Sequence, residues 1–367
     1  MQRHRTGRSR RTAAQMHALA AVQLEVSSHD SASGCKYLRE FTESFQRFDS
    51  VLLQEQLEKR AVTGDLLQVG DYHALPASQK FAAELLEKCA RERPVVLAAE
   101  AVLSRDQQIL NAWWRREIRE DELRRRLRFD RDWGYSWAPF YELLSSARDH
   151  AEGVYGLDCR PREDLRRIRS RDRHAAAKIR EIRERHPRAL IVVVFGESHM
   201  APQHLPRALR EMLPDDKQLV LLQNVDALYL QAVAEQATVA DFAGVAMGND
   251  AVCVFNASPL EKYESYRLCL ERWRAENDAQ RDFAPAIYNL IFALAGTLGF
   301  RLDSPRNGTH PKFLADSLPE VTTLSDESEV EAEQKSCHYS PETNSMVVRD
   351  FQVAEAAEEC TRFLHSA

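Results

Sequence analysis

Through the first two thirds of the chain, short continuous runs of apolar residues alternate with longer stretches in which apolar positions recur every three or four residues. The runs are Leu66–Val69, Val95–Ala99, Val154–Leu157, Leu190–Phe195 and Leu219–Leu222. They lack the period-two alternation of a half-exposed strand and read instead as strands covered on both faces, as in a parallel sheet between helices. Of the intervening stretches, "SQKFAAELLEKCARER" puts Phe81, Leu85, Leu86 and Cys89 on one helix face, and "DRHAAAKIREIRERH" groups Ala175, Ile179 and Ile182. Strand and helix in turn predict a doubly wound α/β fold: a mostly parallel sheet with flanking helices.

Residues 103–150 break this rhythm. They read as a helical insertion carrying Trp113, Trp114, Trp133, Trp137, Phe140 and Tyr141, which either packs onto the sheet or roofs a pocket. A further strand is predicted within 251–258, followed by a helix with Ser258 as N-cap and Pro259 at its first position. Tyr263, Tyr266, Leu270 and Trp273 form a stripe along that helix, and the apolar run 286–300 reads as a buried helix too short to span a bilayer. The expected organisation is an N-terminal extension and lead-in helix (1–50), an α/β domain (51–300) with its insertion at about 103–150, a flexible acidic segment (301–345), and a closing strand and helix (346–367).

Composition narrows the function classes. The 367 residues are 44% hydrophobic and 29% charged, with net charge −6, which argues against a nucleic-acid partner. The arginines cluster in stretches equally rich in acids, the pattern of solvated helix faces. Seven cysteines without a CxxC spacing argue against a disulfide framework or a zinc knuckle and suit a reducing compartment. The basic start, "MQRHRTGRSRRTAAQMHALAAVQLEV", makes a poor signal peptide, and no lipobox-like cysteine follows an apolar run. Cytoplasmic location without a transmembrane segment is the expectation, or a periplasmic or membrane-anchored one if the start site is misassigned.

Two phrases then stand out. "LLQVGDYHALP" (Leu66 to Pro76) and "VVVFGESHMAP" (Val192 to Pro202) both read apolar run, Gly, acid, any residue, His, two residues, Pro. Ligands in open α/β sheets bind beyond the carboxyl ends of the strands, so Asp71/His73 and Glu197/His199 are expected on one edge of the sheet, after glycines that permit close backbone approach. Glu100 and Asp158 end two other runs. Imidazoles and carboxylates together can hold a metal ion, ligate haem iron or activate water. His204 either faces the same place or lies on a solvated helix. Met200 stands where a nucleophile elbow needs glycine, so Ser198 is a doubtful nucleophile. No nucleotide-cradling glycine loop and no H-E-x-x-H is present.

The segments "GDYHALPASQKFAAELL", "PVVLAAEAV", "SRDRHAAAKI" and "VVVFGESHMAPQHLP", spanning about 65 to 223, resemble the ChaN-like haem-binding uptake family, part of a superfamily with the Tiki proteases and the erythromycin esterases. The resemblance implies an α/β fold with a pocket at the strand tips. It marks His73, Glu100 and His199 as the site residues, with Asp71 and Glu197 beside them, and matches Arg171 and Asp172 to a recurrent Arg-Asp. Members of the superfamily bind haem for iron uptake, cleave peptides with a metal, or open a lactone.

Three expectations follow. One is a binding protein for haem or a divalent metal ion in haem or iron handling, with His73 or His199 as axial ligand, Tyr72, Asp71 and Glu197 as further cofactor contacts, and His73, Glu100 and His199 as the metal set. Another is a hydrolase acting on an ester or peptide, in which His73, Glu100 and His199 are catalytic. A third is an interaction protein that forms a homodimer. The partners expected are therefore haem or a small-molecule or peptide substrate, with a second copy of the chain in the third case.

Overall fold

Eight strands form one sheet: β1 (Ser50–Leu52), β2 (Leu66–Asp71), β3 (Val95–Leu103), β4 (Val154–Asp158), β5 (Leu190–Gly196), β6 (Gln218–Gln223), β7 (Gly244–Met247) and β8 (Ala251–Val254), in the spatial order β1-β7-β8-β6-β2-β5-β3-β4. The six strands from β8 to β4 are mutually parallel, and β7 runs antiparallel to both of its neighbours. This computed structural model describes residues 36–159, 168–234, 243–275, 283–298, 318–323, 336–349 and 352–366.

The continuous apolar runs are explained by burial on both faces. In β5, Leu190, Val192 and Val194 join one apolar cluster, while Ile191, Val193 and Phe195 join the other. Helix α1 (Lys36–Ser44) and α2 (Gln54–Thr63) precede the central strand β2. Helix α3 (Pro76–Glu92) contributes Ala82, Leu85, Leu86 and Cys89 to the first cluster. The insertion holds α4 (Gln107–Trp114), α5 (Glu120–Leu127), the short α6 (Phe129–Asp132) and α7 (Trp137–His150). Helix α8 (Ile168–Arg185) covers the opposite face with Ala175, Ala176, Ile179 and Ile182. Helix α9 (Leu205–Met212) joins it with Leu205 and Leu209, and α10 (Asp226–Ala234) follows β6. The result is a three-layer α/β/α arrangement.

The insertion's aromatics divide between two roles. Trp113, Phe129, Trp137 and Phe140 are buried in the first cluster, as aromatics at helical spacing usually are. Trp133 and Tyr135 are only half-buried and lie against His73.

The chain divides into two compact units, the first being Ala32–Pro259 and the second including Leu260–Ala367. The second contains α11 (Pro259–Ala275), α12 (Ala284–Leu298), α13 (Val353–Ser366) and a small sheet of β9 (Glu320–Thr323), β10 (Cys337–Ser340) and β11 (Ser345–Val348). The division falls after 259, whereas the sequence pattern places the end of the α/β domain at 300. The reason is packing: Ile287, Leu290 and Ile291 of α12 join Tyr339, Met346, Val348 and Phe363 in a separate apolar cluster. Residues 1–35 of the lead-in and most of the acidic stretch 301–345 lie outside the described residues, as do the side chains of Leu270 and Trp273. No described helix is long and apolar enough to cross a membrane.

One irregularity places a site residue. The pairing of β3 with β4 shifts register between Ala99 and Leu103. Here the Gln107 side chain replaces ladder partners, accepting from the Gly156 N–H at 2.9 Å and donating to the Val154 carbonyl at 2.9 Å. Glu100 lies inside this bulge, where a strand can re-aim a side chain. A Cβ on Gly156 would come within 2.8 Å of the Val102 carbonyl and 2.9 Å of the Leu103 carbonyl. Gly156→Ala is therefore expected to lower stability by about 1–3 kcal/mol, read as a drop in the denaturant midpoint at unchanged slope. An unchanged midpoint would show that the bulge yields freely.

Candidate functional site

At the carboxyl ends of β2, β3, β4 and β5, polar side chains gather on an otherwise apolar core. Glu100 is at the centre and is buried, with 4% of its surface exposed. Its Oε2 accepts the Gly196 N–H, and its Oε1 accepts from Nη2 of Arg171. The same guanidinium grips Asp158 at both carboxylate oxygens, Nε to Oδ1 at 2.9 Å and Nη2 to Oδ2 at 3.0 Å. A buried carboxylate would ordinarily take up a proton, and burial does push Glu100 upward. The charges of His73 and Arg171 outweigh that and hold it below the ordinary carboxylate range.

Both imidazoles meet this carboxylate. His73 Nε2 lies 3.5 Å from Glu100 Oε2, and His199 Nε2 lies 3.9 Å from Glu100 Oε1. Both separations are electrostatic contacts, too long for hydrogen bonds. The backbone of Gly196 makes the convergence possible: a Cβ there would sit 3.2 Å from His73 Nε2, 3.2 Å from Glu100 Oε2 and 3.4 Å from His199 Cδ2.

The two phrases that look identical in sequence do different things. Their register is offset by one, with Gly70 opposite Phe195 and Asp71 opposite Gly196. Asp71 therefore ends a strand, buried, and binds its own histidine, Oδ2 to His73 Nδ1 at 2.8 Å; Gln79, on the first turns of α3, donates to its other oxygen. Glu197 instead begins a 3-10 turn, Glu197–Met200, and is half-buried. His199 draws its acid from another element: Nδ1 lies 2.6 Å from Oδ1 of Asp172 on α8. Tyr72 is half-buried beside His73.

The loop carrying His73 is held from below. The buried Gln223 amide donates to the carbonyls of Gly70 at 3.0 Å and Ser78 at 3.3 Å, the two ends of that loop, and its own carbonyl accepts from Asn256 at 2.7 Å. Asn224, next along, adopts φ +53, a left-handed conformation asparagine tolerates, and its Oδ1 caps the Asn256 and Ala257 N–H groups. A preorganised frame of this kind suits a site whose groups must not wander.

The two histidines are driven apart electrostatically. Burial lowers His73, but the hydrogen bond it donates to Asp71 and the charges of Asp71 and Glu100 prevail and raise it above the ordinary imidazole value. His199 is fully enclosed; burial brings it down to about 3, so it stays neutral. Asp172 is pushed up to about 7, first by burial, with His204 and Arg171 opposing. Neighbouring titratable groups with opposite displacements are a mark of acid–base sites.

Tyr37 and Glu40 carried no signal in the sequence, because α1 precedes the sheet and meets the site only in three dimensions. The Tyr37 ring lies 5.1 Å from His199 and 4.3 Å from His204. Gln79 was equally hidden, although its place eight residues after Asp71, just inside a proline-started helix, is a recoverable hint.

A metal ion does not fit this arrangement. Among the described residues no group of three or more His, Cys, Asp and Glu side chains is disposed to hold one, and both Glu100 oxygens are already engaged by Arg171 and Gly196. The divalent-ion expectation at His73, Glu100 and His199 is not met by this geometry. Haem on either imidazole meets a similar obstacle. Each Nε2 is within 4.0 Å of the Glu100 carboxylate, which competes with iron for the imidazole nitrogens.

Fold and site together define the class: a three-layer α/β protein with an imidazole–carboxylate cluster at its strand tips. Residues 57–184 are similar to the family of haem-binding uptake proteins, ChaN, of the Tiki superfamily. The segment includes Asp71, His73, Glu100, Asp158, Arg171 and Asp172 and ends before His199. No curated protein matches the chain. Among solved structures, ChaN of Campylobacter jejuni with cofacially bound haem is 12% identical, covering 48% of this chain and 90% of that one at a TM-score of 0.36. The type III effector HopBA1 is 14% identical, covering 57% and 96% at 0.40. RRSP, a MARTX toxin effector domain from Vibrio vulnificus, is 17% identical, covering 55% and 42% at 0.32. At these scores the likenesses carry no inference about activity.

The opposed displacements give a stability prediction. Folded Asp172 holds a proton up to about 7 against an ordinary 3.8, so its contribution to stability falls as pH rises through that window. Folded His199 refuses a proton down to about 3 against an ordinary 6.5, so its contribution rises over an overlapping window. Asp172→Asn removes the falling component. Thermal midpoints of that variant are expected to climb more steeply with pH than those of the parent between about pH 4 and 6.5. Parallel profiles would rule out Asp172 as the source.

Proposed function

We propose that the cluster is a hydrolytic acid–base site acting on an ester or amide carbonyl, with His73 as the proton-handling residue. The observation that carries this reading is the Asp71–His73–Glu100 arrangement: an imidazole oriented at Nδ1 by a buried carboxylate and presenting Nε2 to a second carboxylate 3.5 Å away. Neutral His73 takes a proton from water at Nε2 as the water oxygen bonds to the carbonyl carbon. Asp71 stabilises the resulting imidazolium, which returns the proton to the departing alcohol or amine. Glu100, held ionised by Arg171, orients the attacking water. Neutral His199, whose Nδ1–H is held by Asp172, can accept at Nε2 and helps Glu100 to orient the water. Trp133 and Tyr135, with ring centroids 4.5 and 5.2 Å from that of His73, offer an apolar wall for the rest of the substrate.

His73→Ala is expected to lower turnover of a nitrophenyl ester by about 10²–10⁴-fold, and Glu100→Gln should abolish it while the circular dichroism spectrum stays unchanged. Activity that survives both changes would end the hydrolytic reading. The base form of His73 appears only above its raised value, so kcat/KM should rise with pH through an inflection above the ordinary imidazole value. Asp71→Asn removes the group that raises it and should move that inflection to lower pH.

The family match over 57–184 favours a second reading, haem binding for iron handling. Haem would rest on the half-buried rim, with the Tyr72 phenolate as iron ligand and Trp133 or Tyr135 against the ring. A Soret band on adding haemin, lost in Tyr72→Phe, is expected under this reading. Haemin titration without spectral change at micromolar concentration would remove it.

A further inference from the structure

Behind His199, on the side away from Glu100, lies a row of titratable groups that the hydrolytic reading does not use. Asp172 bridges two histidines: Oδ1 is 2.6 Å from His199 Nδ1, and Oδ2 is 3.7 Å from His204 Nδ1. His204, at the N-cap of α9, is buried, yet its other nitrogen lies 3.0 Å from Oε2 of Glu40, a partly exposed residue of α1. Glu40 in turn lies 3.5 Å from the exposed Lys36 ammonium. Tyr37, one turn before, closes over both imidazoles.

Neither side contact of His204 is a well-formed hydrogen bond. The 3.0 Å approach to Glu40 is bent away from the ring N–H direction, and Asp172 Oδ2 and both His204 nitrogens have no hydrogen-bond partner among the described residues. Buried polar atoms left this way are costly when their role is structural alone. A gap of 3.7 Å is one that small movements or a single bridging water spans.

We propose that Asp172, His204 and Glu40 form a proton relay connecting the enclosed His199, and through it the Glu100 cluster, to solvent. As a proton from the Glu100 cluster reaches Nε2 of neutral His199, its Nδ1 proton passes to Asp172 Oδ1 and a protonated Asp172 releases one from Oδ2. His204 accepts that proton at Nδ1 and passes its Nε2 proton to the Glu40 carboxylate, which loses it to water. The balance is one proton moved from the Glu100 cluster through His199 to solvent, and the chain resets when His199, Asp172 and His204 return to their first tautomers. Asp172 is suited to this because burial lifts it to about 7, so both its forms are populated near neutrality. The groups facing the relay are Tyr37 and Lys36 on α1, Arg169 and Arg171 on α8, and Glu100. His204, Asp172 and Glu40 are positioning and proton-transfer residues, since none needs to touch a substrate.

The relay goes beyond the hydrolytic reading and does not depend on it, so its test uses the substrate-free full chain. In protein with 15N-labelled histidine, NMR saturation transfer follows exchange of the His199 Nδ1 proton with water, and the His73 Nδ1 proton serves as an internal reference. Glu40→Gln and His204→Phe are both expected to slow exchange at His199 by roughly tenfold or more, leaving His73 unchanged. A merely structural role predicts the reverse, because loosening α1 would let water in and speed exchange. Unchanged or faster exchange at His199 in Glu40→Gln, the variant closest in shape, overturns the relay. Loss or persistence of ester turnover bears on the hydrolytic reading alone.

Discussion

The guanidinium of Arg171 is shared between Asp158 and Glu100, and the rest of the site depends on that sharing. Asp158 ends β4, Glu100 sits in the bulge of β3, and Arg171 lies near the start of α8, so one side chain ties together an edge strand, an inner strand and a helix. Without the cation, two buried carboxylates would face each other, and at least one would be forced to protonate. With it, Glu100 remains an anion in a nearly dry environment. That fixed negative charge draws two imidazoles to within 4.0 Å. Breaking such a pair by removing one partner typically costs about 3–5 kcal/mol, because the survivor is left buried and uncompensated.

Around this anchor the electrostatics are arranged in two shells of opposite tendency. On the half-exposed side, Asp71 and Glu100 favour the charged form of His73. On the enclosed side, burial favours neutral His199 and raises Asp172. Two histidines sharing one carboxylate are thereby kept from carrying the same charge. The difference comes from which acid each ring uses and how deeply each lies, both consequences of the one-residue offset between β2 and β5.

Much of the fold is legible in the sequence because burial on both faces leaves a strong local trace. The runs at 66, 95, 154, 190 and 219 all became strands of the parallel core, and each extends by one to four residues beyond its apolar run, into residues that are also buried. The site was legible in part. Asp71, His73, Glu100 and His199 could be named because a parallel sheet sends all its strand ends to one edge. The insertion was harder to interpret: Trp113 and Trp137 are core, whereas Trp133, in the turn after α6, meets His73, and the sequence marks all three only as aromatics in one helical stretch.

What the chain determined by itself was the alternation of strands and helices, the common edge for strand-end residues, and the glycine at 196 that lets three side chains converge. Tertiary structure alone decided which acid serves which histidine. It paired His73 with the acid of its own phrase and His199 with one from a helix 27 residues earlier. It brought Tyr37 and Glu40 over His204, and it assigned the apolar helix near residue 290 to a different core. The physical reason is the same in each case. Local pattern records how much surface a residue buries, whereas partner choice depends on register and on elements far apart in sequence, and a one-residue offset reverses the face a side chain presents.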